Sequence, residues 1–127
     1  YPVPAEEQEF ARVLIQAALE NHKAIDALIK ERLVNWELSR ISAVSRAILR
    51  TGIAQLLYLK EEADDAVVID EALLLTKQYD AIEAAAFING LLDDIISYRD
   101  DKKERVLPKP KPLAQKIKIK SKLKRQI

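Results

Sequence analysis

The sequence predicts an all-α protein, a helical bundle followed by a disordered or extended basic C-terminal tail. Three observations lead there. Apolar residues from Phe10 to Ile96 recur at spacings of three and four, which stacks them on one face of each helix. Only two glycines occur in 127 residues, and the first hundred residues contain no alternating apolar–polar run of the kind a sheet requires. The charge also divides sharply. Residues 1 to 101 carry 10 Lys and Arg against 19 Asp and Glu, a balance of −9, whereas residues 102 to 127 carry 11 against 1, a balance of +10. The net charge of +1 is therefore a cancellation between an acidic body (1–101) and a basic Lys/Pro-rich tail (102–127).

Each element has its own justification. From Ala5 to Leu33 the positions Phe10, Val13, Leu14, Ala17, Ala18, Ile25, Leu28, Ile29 and Leu33 form one helical face with a longer step near His22, where a bend is expected. Pro2 and Pro4 precede this helix, and Glu6, Glu7 and Glu9 lie early in it, where negative charge is favoured. Residues 35 to 40 break the pattern and read as a link with about one helical turn. The helix from Ser42 to Leu59 is apolar over most of its circumference, which suits only the centre of a bundle. Lys60 to Asp65 reads as a polar connection whose last aspartates cap the following helix, Val67 to Tyr79. The last helix begins near Ile82 and carries Phe87, Leu91, Leu92, Ile95 and Ile96, with Asp93 and Asp94 on the opposite side. Short connections make these helices neighbours in an antiparallel bundle.

Composition excludes several chemistries. No cysteine means no disulfide, thiolate zinc site, iron–sulfur cluster or cysteine nucleophile, and a reducing compartment is compatible with that. His22 is the single histidine and reads as an ordinary surface residue. Glu61, Glu62, Asp64 and Asp65 lack the glycine turn and terminal glutamate of a calcium loop. Asp93 and Asp94 are adjacent on a helix and cannot share one proton, and Ser39, Ser42 and Ser45 have no evident base. Gly52 and Gly90 are too few for a phosphate loop. No apolar run reaches the ~18 residues of a membrane span. The expectation is a protein that is not an enzyme, needs no cofactor or metal and does not enter a membrane. A first residue of Tyr1 reads as a fragment or processed chain.

The tail alternates Lys116, Lys118, Lys120, Lys122 and Lys124 with apolar residues or serine, preceded by Lys109 and Lys111 between prolines and followed by Arg125. These cations suit contact with nucleic-acid phosphates. A merely solubilising tail, or one folded back on the acidic body, is the plainer alternative.

Three stretches in order resemble the transcription antitermination factor NusB family: Trp36-Glu37-Leu38-Ser39-Arg40; Ser45-Arg46-Ala47-Ile48-Leu49-Arg50; and Val68-Ile69-Asp70-Glu71-Ala72 with Phe87-Ile88-Asn89-Gly90-Leu91-Leu92-Asp93 behind it. The resemblance covers about residues 8 to 97 and looks most like cyanobacterial or plastid members, which places the protein in a plastid stroma or a bacterial cytoplasm. It implies a bundle of the NusB type, lacking its first helices here, with the helix of Ile48 and Leu49 at the centre and Gly90 allowing close helix packing. It further implies a non-enzymatic RNA-binding factor for antitermination and rRNA biogenesis. Such a factor grips a boxA-like rRNA leader together with a NusE-type small-subunit ribosomal protein, at the RNA polymerase elongation complex. The family's arginine-rich first helix has no counterpart in this chain, and Ala86 stands where a basic residue often precedes the phenylalanine.

Phe87 and Asn89 match positions where family members touch RNA; otherwise Phe87 is core and Asn89 bonds a helix end. Arg46 and Arg50, four apart, form a phosphate clamp or pair with nearby acids. Trp36 reads as a packing anchor. Two other functions fit the same resemblance: an accessory domain of an rRNA cytosine methyltransferase, and a protein–protein adaptor without RNA binding.

Overall fold

A computed structural model describes residues 3–33 and 37–103. Among these residues the order is α1 (Ala5–Glu20), α2 (His22–Arg32), a 3-10 turn (Leu38–Arg40), α3 (Ala43–Tyr58), α4 (Asp65–Tyr79) and α5 (Glu83–Lys103), with no strand. The all-α expectation holds. Trp36 and the tail from residue 104 onward lie outside the described residues.

The long first helix divides at the expected bend. At Asn21 the backbone N–H and the side-chain Nδ2 both donate to the Ala17 carbonyl, at 3.2 and 2.8 Å. An amide competing for a helical carbonyl loosens the ladder, and a new helix starts at the next residue. His22 beside it is exposed, its Nδ1 3.0 Å from the Leu19 carbonyl oxygen.

Helix α3 is central and packs against α1, α2, α4 and α5. Its Leu49, Ile53 and Leu56 meet Ile25 and Ile29 of α2 and Ile88, Leu92 and Ile95 of α5 in one continuous core. Ser42 starts the helix by accepting the Ser45 backbone N–H on its hydroxyl at 3.0 Å, which satisfies one of the unpaired donors of the first turn.

Three details differ from the sequence reading. Asp64 stands at the N-cap of α4 but its side chain makes no capping bond. Asp65, one residue into the helix, instead takes both terminal nitrogens of Arg99 at 2.8 and 2.7 Å. Arg99 is buried and also donates to the Leu56 carbonyl and to Asp100, so it ties the end of α3, the start of α4 and the end of α5. A buried guanidinium demands a carboxylate more strongly than an exposed helix end does. The second correction concerns glycine: close packing occurs at Gly52, where a Cβ would stand 3.3 Å from Leu92 Cδ2, and not at Gly90, where nothing lies within 4 Å. Third, α5 runs to Lys103, two residues past the break in charge.

Two outcomes follow for stability. Gly90→Ala should stabilise the protein by about 0.5–1 kcal/mol and raise its urea midpoint, since an exposed mid-helix glycine gives up backbone entropy for no contact. Arg99→Ala should lower stability by about 3 kcal/mol with an unchanged denaturant slope, because Asp65 and the Leu56 carbonyl lose their donor.

Candidate nucleic-acid interface

Positions 87 and 89 are about 200° apart round an α-helix. The buried stripe of α5, which includes Ile88, Leu92, Ile95 and Arg99, separates them. Phe87 falls on one flank and the half-buried Asn89 on the other, so the structure does not bring these two residues into one small site. Phe87 is not core. It is 36 % exposed, a large ring left at the surface beside the buried stripe of its own helix. Gly90, exposed and three residues on, shares its flank.

Phe87 lines a cleft of about 380 Å³ with Ile41, Ser42, Ser45, Asp80, Glu83 and Ala84. The cleft lies between the start of α3 and the start of α5, and its polar wall is built round Asp80 in the α4–α5 link. Both serine hydroxyls donate to Asp80 Oδ2, and the Ala81 N–H donates to Oδ1 at 2.7 Å. Hydrogen bonds from Ser42, then Ser45, then Ala81 hold the Asp80 carboxyl below the ordinary carboxylate range, because each favours the charged form. Ser42 thus has two tasks, capping α3 and anchoring the link to α5.

The two arginines of the expected clamp are in different states. Arg50 forms a two-pronged pair with Asp26 of α2, Nε to Oδ1 at 2.8 Å and Nη2 to Oδ2 at 2.9 Å. The half-buried Arg46 has no ion pair or side-chain hydrogen bond among the described residues. Arg40 lies exposed on the 3-10 turn just ahead of the cleft. Farther along the Phe87 flank, Arg32 of α2 reaches Asp94 at 2.6 Å and lies 4.9 Å from the centre of the Tyr98 ring. Lys109, Lys111, Lys116, Lys118, Lys120, Lys122, Lys124 and Arg125 lie outside the described residues.

Asp80, Ile41 and the role of the two serines are not apparent in the sequence. Ser42 three residues before Ser45 does signal a helix start, but nothing local shows that a link residue nearly forty positions away completes the cluster. Among the described residues no group of three or more His, Asp or Glu could hold a metal, and no helix is long and apolar enough to cross a membrane.

A carboxyl whose pKa falls on folding adds stability that is present above its unfolded value and is lost as pH drops through the folded one. The urea midpoint should therefore fall below about pH 4, and Asp80→Asn should remove part of that fall, as read from unfolding curves of both proteins across the acid range.

Comparison with known proteins agrees with this architecture. The model of the NusB family matches residues 2–97. The transcription antitermination protein NusB of Leptospira biflexa is 48 % identical over 109 residues, covering 84 % of this chain and 71 % of that protein. The protein of the same name from Elusimicrobium minutum is 41 % identical over 97 residues, or 76 % of this chain and 65 % of its own. That of Nitratiruptor sp. is 39 % identical over 89 residues, 70 % and 63 % respectively. This chain thus spans about two thirds of the length of these relatives, which carry the name of an antitermination factor rather than of an enzyme. No solved structure matches it. A helical bundle centred on α3, matched along most of its length by the family model and by these relatives, identifies the chain as a member of the NusB family.

Proposed function

We propose that this protein binds RNA as an antitermination or rRNA-biogenesis factor, gripping a boxA-like segment of nascent ribosomal RNA jointly with a NusE-type ribosomal protein. The observation that carries the reading is Phe87, an aromatic ring exposed at the mouth of a cleft within the family's own segment. Stacking on such a ring is worth about 1–3 kcal/mol per base. Gly90 adds support: a glycine on the same flank, with no protein atom near its missing Cβ, permits close approach of a ligand backbone. Arg46 supplies a cation with no ion-pair partner among the described residues. Asn89, on the other flank of α5, serves a separate stretch of the same complex.

The body carries −9 over residues 1 to 101 and repels phosphate, so the basic residues beyond Lys103 supply most of the nonspecific attraction. That same acidity favours a second reading, an adaptor whose partner is a basic protein. Binding to a boxA-type RNA and a scrambled control, across a salt series and with or without the ribosomal-protein partner, separates the two. Sequence preference that strengthens with the partner supports the first reading; equal, feeble binding of both RNAs supports the adaptor.

Two variants sharpen this. Phe87→Ala should weaken boxA binding by about tenfold while costing far less stability than the ~3–5 kcal/mol of a buried phenylalanine, as checked by anisotropy and urea unfolding. Removing residues 104–127, which leaves α5 whole, should flatten the dependence of log affinity on log salt by about 0.7 for each phosphate the shortened chain no longer neutralises.

A further inference from the structure

A hydroxyl has one proton to give and two lone pairs to offer. In the cleft between α3 and α5, Ser42 and Ser45 both direct that proton to Asp80 Oδ2. Oδ2 is thereby filled, and Oδ1 already accepts the Ala81 N–H. Ser42 Oγ also accepts the Ser45 N–H, so it keeps one lone pair, Ser45 Oγ keeps two, and Asp80 Oδ1 keeps one. The side chains of this wall therefore present acceptors and no donors. The Phe87 ring, Ile41 and Ala84 line the same cleft and supply apolar surface suited to a flat ring system. A phosphate oxygen or a carbonyl brought to these side chains meets only lone pairs. An amino group finds partners there.

We propose that the cleft receives a single RNA base that bears an exocyclic amino group, stacked on Phe87 and read through its N–H donors by the acceptor wall of Ser42, Ser45 and Asp80. This rests on the RNA-binding reading and adds to it the chemical class of the base that is read: adenine, cytosine or guanine, in preference to uracil, whose one N–H stands between two carbonyls that the lone pairs of the wall repel. A carboxylate accepting from a base amino group is an established form of base discrimination. A guanidinium from a protein partner is the other donor-rich occupant, but it prefers two open carboxylate oxygens side by side, and the hydroxyls and the Ala81 N–H have closed that fork on Asp80. Glu83, exposed, lines the same cleft and adds negative potential to it.

The test uses the full chain and a boxA-type single strand in which each amino-bearing base is replaced, one position at a time, by an analogue lacking the amino group: inosine for guanosine, purine riboside for adenosine, pyrimidin-2-one riboside for cytidine. One position should lose about tenfold in affinity, and the loss should shrink below about twofold in Asp80→Asn, whose amide turns part of the wall from acceptor to donor. The analogue scan on the unaltered protein needs no variant to fold. Losses below about twofold at every position, with RNA binding otherwise intact, overturn the proposal and leave the antitermination reading standing. So does a single sensitive position whose loss is the same in a folded Asp80→Asn. Displacement of the RNA by millimolar N-acetyl-arginine amide also overturns it and assigns the cleft to a basic protein. If no RNA of any kind binds, the antitermination reading itself falls.

Discussion

A helix with apolar side chains on most of its circumference has no face to offer water, and the bundle is arranged round that constraint. Helix α3 is in contact with α1, α2, α4 and α5. Several of its polar residues are exceptions that find local partners. Thr51 returns its hydroxyl to the carbonyls of Ala47 and Ile48, and Arg50 reaches across to Asp26. Ser45, almost fully buried, turns to Asp80. At Gly52 even a Cβ would stand 3.3 Å from Leu92 Cδ2, a tight contact, so the glycine lets α3 and α5 approach closely.

The two ends of α3 are fastened by opposite charges. At its start, an aspartate from the α4–α5 link gathers two hydroxyls, and the negative charge lies where a helix N-terminus favours it. At its end, the guanidinium of Arg99 donates to the Leu56 carbonyl and holds Asp65 as well. Both ties join residues more than thirty positions apart, and both use α5 or its approach. Apolar packing sets which helices touch; these two polar clusters set how far one can slide along another. The first tie also supplies the polar lining of the cleft that Phe87 borders.

Helix positions are legible in the sequence because periodicity and caps are local. The breadth of the apolar surface on residues 42 to 59 marks the central helix directly. What escapes depends on what stands opposite. Nothing in Gly52 or Gly90 tells which one faces a neighbour, and Asp65 differs from Asp64 in facing Arg99. Arg46 and Arg50 look equivalent in sequence, yet only Arg50 has an aspartate within reach on α2. Phe87 reads either as core or as contact surface, because a phenylalanine at an apolar spacing fits both until burial is known. The separation of Phe87 from Asn89, by contrast, follows from helix geometry alone once α5 is accepted.

Helix α5 also sets a distance. With a rise of about 1.5 Å per residue, the sixteen steps from Phe87 to Lys103 extend about 24 Å. The chain beyond Lys103 therefore leaves the described bundle about 24 Å along α5 from Phe87. In the proposed reading, one strand is held at two linked points, by the cleft and by the basic residues beyond Lys103. Two such contacts behave as a chelate: each raises the effective concentration of the other, and a strand that reaches only one of them forfeits that gain.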